Sequence, residues 1–351
     1  MLQIRNLNFV LAYILLFLFQ LVSSATVENS SLSSILNSLT STLTTVKPLL
    51  KIEFANRRFP FKLLSRPRFN RCVDKDLFII VLTTFEAFER RQEIRETWAQ
   101  AKHLENSVVA FVIGTKEDSK QLKRFEKETR KYRDIIWANI PDEYDYLVVK
   151  DLVAFTVQQI YCSHVPFVLK VDDDVTLLPD RFVHFLRTPD FENKDKAIYG
   201  VVWVGSVVIR DPNSKWYVSY KTYSGYVYPT YVNGPAYLLT TRAVAGILQN
   251  TRNFNFLTIE DALLTGIVAN RAGIRVIDQH VFFKFNCSNI LGQIRPLRDW
   301  QAIKRSEHCL KTYGECDKSG VPKACVVAHD PDTPSMSISV IYSSLLNAKC
   351  G

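Results

Sequence analysis

Three aspartates in a row, Asp172-Asp173-Asp174, directly follow the apolar run Phe167-Val168-Leu169-Lys170-Val171. Adjacent carboxylates repel one another unless a cation offsets their charge. Carboxylate oxygens suit hard ions such as Mg²⁺ or Mn²⁺, and those ions keep positions open for substrate phosphates. An exposed acidic turn is the ordinary reading of an Asp-x-Asp triplet. Its place at the end of a predicted strand, where open α/β sheets bind ligands, favours the metal reading here.

A second acidic pair, Glu260-Asp261, opens a predicted helix that continues through Asn270. Acids at a helix start can simply cap it. The chemical reading is a general base that takes a proton from an attacking sugar hydroxyl. His280 lies further on, after the strand-like Ile274-Arg275-Val276-Ile277, and is a candidate nitrogen ligand beside an acidic metal site. Between the two acidic sites runs Tyr228-Pro229-Thr230-Tyr231-Val232-Asn233-Gly234-Pro235-Ala236-Tyr237. Pro and Gly predict a turn there, and the tyrosines offer flat faces with polar tips of the kind on which sugars rest. Trp216 and Tyr217 belong to the same aromatic zone.

The elements that must hold these residues follow from the hydrophobic pattern. Leu77–Leu82, Val108–Ile113, Asp134–Trp137 and Phe167–Val171 read as strands, the first as a continuous apolar run of the buried parallel kind. Charged stretches at 86–100, which is amphipathic, and at 117–131 read as helices, and so does 144–160. This alternation predicts an α/β protein with a mostly parallel, Rossmann-like sheet flanked by helices. Beyond residue 197 the pattern mixes strands and turns with two helices, near 241–249 and 260–271.

Bulk properties place this domain in a compartment. The 351 residues carry a net charge of +9, with 47% hydrophobic and 23% charged residues. A basic surface suits anionic partners. The basic residues are spread along the chain and no nucleic-acid motif is present, so a phosphate-bearing small ligand is expected and nucleic acid is not. Phe9–Val22 is apolar apart from Gln20, with Arg5 before it and no Lys or Arg after it until Lys47. That bias sends the following chain into the secretory lumen. The run is short for a span of ~17–25 residues, and Ser23-Ser24-Ala25 resembles a cleavage site, so a signal-anchor and a cleaved signal peptide both stand. Residues 1–25 are therefore expected to be the anchor or signal, 26–71 a stem and linker, 72–300 the catalytic domain and 301–351 a Cys-containing tail. Two sequons, at Asn29 and Asn286, agree with a lumenal site. Of seven cysteines, four follow residue 300 and none forms a C-x-x-C pair, which suits disulfides better than zinc.

Taken together, these motifs resemble those of the β-1,3-glycosyltransferases: the β-1,3-galactosyltransferases, β-1,3-N-acetylglucosaminyltransferases and Fringe enzymes. Arg90-Arg91 with Ile94-Arg95-Glu96-Thr97-Trp98 is similar to that family's R-R-x-x-I-R-x-T-W segment, and Phe111–Gly114 to its F-x-x-G. Lys170–Val175, the Tyr228–Tyr237 segment and Glu260-Asp261 resemble its metal motif, aromatic loop and acid pair. The resemblance implies a GT-A fold, a UDP-sugar donor, Mn²⁺ or Mg²⁺, and inverting transfer of a galactose or N-acetylhexosamine to a glycan acceptor in β-1,3 linkage. It also implies a single-pass type II protein of the Golgi membrane with a lumenal catalytic domain, secreted if the segment is cleaved. Asp174 would hold the metal, with Asp172 and His280 as further ligands. Arg95, Lys170, Asp172, Asp173, Tyr231 and Gly234 would line the donor, and Asp261 or Glu260 would act as base. Thr265-Gly266 sits one residue further from the acid pair than in the usual pattern, which leaves the register of the base open. The rival expectations are a glycan- or partner-binding protein that has lost turnover on the same fold, and a metal-dependent hydrolase.

Overall fold

A computed structural model describes residues 50–68, 72–116, 120–191, 195–286, 313–329 and 337–350. In chain order the strands are β1 (Leu50–Glu53), β2 (Arg58–Phe61), β3 (Leu63–Ser65), β4 (Leu77–Leu82), β5 (Ser107–Thr115), β6 (Ile135–Pro141), β7 (Phe167–Asp172), β8 (Thr176–Leu177), β9 (Ala197–Trp203), β10 (Tyr231–Thr240), β11 (Arg275–Asp278), β12 (Phe283–Asn286), β13 (Tyr313–Gly314), β14 (Val326–His329) and β15 (Lys349–Cys350). The α-helices that concern the site are α1 (Phe88–Glu96), α2 (Leu122–Tyr132), α3 (Leu147–Tyr161), α4 (Pro179–Leu186), α5 (Thr241–Asn250) and, near the C-terminus, α6 (Ile338–Leu346).

The main sheet has the order β11-β9-β10-β7-β4-β5-β6-β3. β4, β5, β6, β7, β9 and β11 run in one direction, while β10 and β3 run against them. The expected mostly parallel sheet flanked by helices is what forms. β4 shows why its sequence is apolar throughout. Phe78, Ile80 and Leu82 enter the core on one face of the sheet, and Leu77, Ile79 and Val81 the core on the other. Side chains alternate along a strand, so a strand covered on both faces has no polar positions.

Three segments differ from the sequence expectation. Residues 50–65, expected to be linker, form a β1–β2 hairpin, and β3 joins the main sheet beside β6. Phe59 and Phe61 alternate inward on β2 and Phe54 follows β1, and these rings enter the core. The tail is not separate either: β14 pairs with β8 and β12, and Ile338 of α6 is buried in the core. Finally, Tyr231–Thr240 is not a turn but a central strand. Its Gly234 and Pro235 fall where the register with β9 shifts, between Val232 and Tyr237, which is where a strand tolerates proline.

Disulfides join Cys72 to Cys162 and Cys316 to Cys350, while Cys325 is buried as a thiol. No helix among the described residues is long and apolar enough to cross a membrane. The run Phe9–Val22 and the Asn29 sequon lie outside the described residues.

Candidate active site

The strand directions gather the chemistry at one edge. β7 ends in Asp172, β4 ends next to Thr83, β11 ends next to His280, and antiparallel β10 begins there with Tyr231. The triplet is held from two sides. The Thr83 hydroxyl donates to Asp173 Oδ2 at 2.6 Å, and Thr83 is itself fixed because buried Lys150 donates to its carbonyl at 2.8 Å. Lys150 also pairs with Asp142 Oδ1 at 2.5 Å. On the far side, the Trp98 indole donates to the Val175 carbonyl at 3.2 Å.

Asp174 carries the strain of this arrangement. Burial, with Asp172 and Asp173 beside it, raises its pKa from the ordinary 3.8 to about 7, opposed in part by Arg90. Burial also raises that of Asp173, against the Thr83 hydrogen bond. These are carboxylates short of positive charge, the environment that a divalent cation fits. Mg²⁺-type ions need only one or two protein carboxylates plus phosphates and water. Among the described residues, no group of three or more His, Cys, Asp and Glu side chains converges to enclose a metal. His280 is at the same edge, but two strands, β9 and β10, lie between β11 and β7, three spacings of ~4.8 Å or roughly 14 Å of backbone. Its Nδ1 lies 2.5 Å from Asp278 Oδ2, the kind of pairing that orients the other ring nitrogen.

Behind the triplet lies a buried ionic cluster. Lys170 Nζ donates to Asp172 Oδ1 and to the Gly234 carbonyl, both at 2.7 Å, and stands 3.6 Å from Glu260 Oε2. Burial works against its charge, yet Asp172, Glu260 and Asp151 together raise its pKa. The Tyr237 hydroxyl donates to Glu260 Oε1 at 2.5 Å. Asp151, fully buried on α3, completes the cluster; burial and Glu260 raise its pKa well above the usual carboxylate range. Sequence reasoning passed over Asp151. Its signal was there: Lys150-Asp151 interrupts the otherwise apolar Leu147–Ala154 run, and charges on a buried helix need partners.

The two acids of the pair face different ways. Glu260 turns into this cluster, whereas Asp261 is half-buried and caps the following helix. Asp261 Oδ1 accepts from the Ala262 amide at 2.7 Å, and Oδ2 from the Gly234 amide at 3.0 Å. A methyl on Gly234 would stand 3.1 Å from that Oδ2, so glycine lets β10 come this close. Burial and Glu260 raise the Asp261 pKa to about 7, against the two amides and Lys170. The displaced Thr265-Gly266 is absorbed by a π-helix, Ala262–Val268, the form an α-helix takes around one extra residue. Thr265 still reaches β10, accepting from the Val232 amide at 2.9 Å. Tyr231 packs here too, its pKa raised by burial and by Asp261.

Arg95 is not brought to this group. It forks onto Asp134 at 2.8 and 2.9 Å and bonds Glu128 at 2.7 Å, on the flank between α1 and α2. Its neighbour Arg91 is buried against the same Glu128 and the Thr84 carbonyl. The arginine whose charge acts on the triplet is Arg90.

A family model described as Galactosyltransferase matches residues 89–280. The human lactosylceramide 1,3-N-acetyl-beta-D-glucosaminyltransferase is 30% identical over 223 residues, 61% of this chain and 59% of that protein. The Danio rerio form B is 31% identical over 224 residues, 61% and 58%. The chain thus spans about three fifths of the length of these relatives. Among solved structures, mouse xyloside xylosyltransferase 1 aligns over 75% of this chain and 99% of its own, with a TM-score of 0.37 and 12% identity. The galactosyltransferase LgtC aligns over 78% and 96%, with 0.36 and 9%.

Proposed function

Because this chain belongs to the galactosyltransferase family, we propose that it transfers a galactose or N-acetylhexosamine from a UDP-sugar to a glycan acceptor, forming a β-1,3 linkage with inversion. The observation that carries this reading is the half-buried Asp261 carboxylate, fixed by two amides on the sheet edge where the Asp172–Asp174 triplet ends. Asp261 acts as the general base, since a carboxylate with a pKa near neutrality accepts a proton efficiently at working pH. Glu260 is the positioning acid behind it, engaged by Tyr237 and Lys170. Asp174 and Asp172 hold the cation, Mn²⁺ or Mg²⁺, which when bound offsets the charge of the leaving diphosphate. Arg90 faces the same phosphates. Lys170 keeps Asp172 aligned and ties β7 to the Gly234 carbonyl. The relatives named for lactosylceramide suggest a β-galactoside, on lipid or protein, as acceptor. On this reading the protein works in the Golgi lumen, anchored through residues 9–22.

Calorimetry of UDP binding tests the donor site. UDP is expected to bind with Mn²⁺ or Mg²⁺ and not in chelator, and Asp174→Asn to weaken binding at least tenfold, about 1.4 kcal/mol. Equal UDP affinity in chelator would refute the metal assignment.

A further inference from the structure

Between β9 and β10 the chain leaves the sheet as a strap, residues 204–228, that folds back on itself. Val207 pairs with Val227 across it, the Val208 amide donates to the Tyr226 carbonyl at 2.9 Å, and the Tyr228 amide to the Ser206 carbonyl at 3.0 Å. Arg210 locks the interior, donating to the carbonyls of Val218, Tyr223 and Gly225 at 2.6, 2.9 and 2.7 Å. Two features of this strap bear on a ligand. Tyr228 is only 7% exposed, yet its hydroxyl has no hydrogen-bond partner. The Tyr223 ring lies 5.4 Å away, tilted by 30°, and Tyr231 meets it edge-on at 6.2 Å. This fixes the phenol where Asp261 acts on it electrostatically. Trp216, 47% exposed, lies beside Tyr144, 51% exposed, and Tyr144 in turn feels Asp261 and Asp172. Two open aromatic faces, one from the loop after β6 and one from the strap between β9 and β10, therefore stand beside the acidic site.

A buried hydroxyl without a partner costs on the order of 1–3 kcal/mol unless something outside the fold satisfies it. Open aromatic rings beside it supply a flat apolar face. A sugar has both complements, an apolar C–H face and a rim of hydroxyls. We propose that Tyr228, Trp216 and Tyr144 form the acceptor subsite: the two open rings carry the sugar's apolar face, and the Tyr228 hydroxyl bonds the 2- or 4-hydroxyl next to the attacking 3-hydroxyl. This rests on the transferase reading above. Burial and Asp261 push the Tyr228 phenol up to about 12, so it stays protonated and can donate throughout the working range.

The test is binding of lactose in the presence of UDP and Mn²⁺, measured by calorimetry on the full chain with Tyr228→Phe and Trp216→Ala. Tyr228→Phe is expected to raise the lactose Kd about tenfold, the worth of one hydrogen bond, with UDP affinity unchanged. Unliganded thermal stability should hold or rise, because the hydroxyl removed bonds nothing in the fold. Lactose lacking the partner hydroxyl on its galactose should bind wild type as weakly as Tyr228→Phe binds lactose, and the two changes together should cost nothing further. Trp216→Ala should weaken lactose and both deoxy analogues alike. Lactose failing to bind wild type, or binding Tyr228→Phe undiminished, would overturn the subsite. Absence of sugar transfer, with lactose binding still dependent on Tyr228, would sink the transferase reading and leave the subsite standing.

Discussion

Replacing Asp261 by Asn isolates the proposed base. The carboxylate has two amide donors, Ala262 at 2.7 Å and Gly234 at 3.0 Å. An asparagine has one acceptor oxygen, so one of these amides meets an NH₂ group instead. Leaving that amide unsatisfied costs about 1–3 kcal/mol, a part of the ~5–15 kcal/mol that holds a domain together, so the variant should fold. The chemical loss is larger. General-base catalysis contributes ~10²–10⁴-fold, which is about 3–5 kcal/mol of barrier. The assay is steady-state transfer across pH 5.5–8.5, with UDP affinity measured in parallel. In the parent, kcat/KM should rise with pH through a midpoint near the Asp261 pKa of about 7, because the base works only when deprotonated. Asp261→Asn should lose kcat by at least a hundredfold, lose that limb, and keep its affinity for UDP. Glu260→Gln is the contrast. Gln retains an acceptor for the Tyr237 hydroxyl, which now donates to Glu260 at 2.5 Å, so the limb should survive. If Glu260→Gln abolishes turnover and Asp261→Asn does not, the two acids have exchanged roles. If both variants transfer sugar normally, neither is the base.

Three further outcomes follow from the buried charges and the crosslink. Lys170→Met leaves Asp172 and Glu260 without their shared cation and should cost about 3–5 kcal/mol in urea unfolding; a loss under 1 kcal/mol would mean that the cluster is already neutral. Without added metal, the fold holds the Asp174 and Asp261 protons up to about pH 7, whereas the unfolded chain releases them near 3.8. Their contribution to stability therefore falls as pH rises from about 4 to 7. Asp174→Asn should flatten that decline in thermal scans, and an unchanged slope would refute the assignment. Cys72→Ser opens a crosslink between residues 90 apart in sequence and should destabilise by about 4 kcal/mol, read as a lower denaturation midpoint in oxidising buffer; an unchanged midpoint would refute it.

What the sequence determined by itself was the part governed by local pattern. Continuous apolar runs announced strands covered on both faces, and the charged stretches between them announced helices, which gave the parallel half of the sheet. The same runs put Asp172–Asp174 at a strand end, and the acid pair before an apolar stretch put Asp261 at a helix start. The remainder depended on partners far apart along the chain. Residues 50–65 looked like linker because their strands are short, basic and interrupted by Pro60; only the core that takes up Phe54, Phe59 and Phe61 makes them strands. Tyr231–Thr240 reads as a turn from its Gly and Pro, and becomes a central strand because β7 and β9 pair with it on both sides. Arg90, Arg91 and Arg95 are equivalent on paper. Their helix brings Arg91 and Arg95 to Glu128 on the flank, while the charge of Arg90 acts on the triplet. Asp261 and Glu260 are neighbours that no local rule separates. The close approach of Gly234 claims Asp261, and buried Lys170 with Tyr237 claims Glu260, so their separation depends on contacts across the sheet.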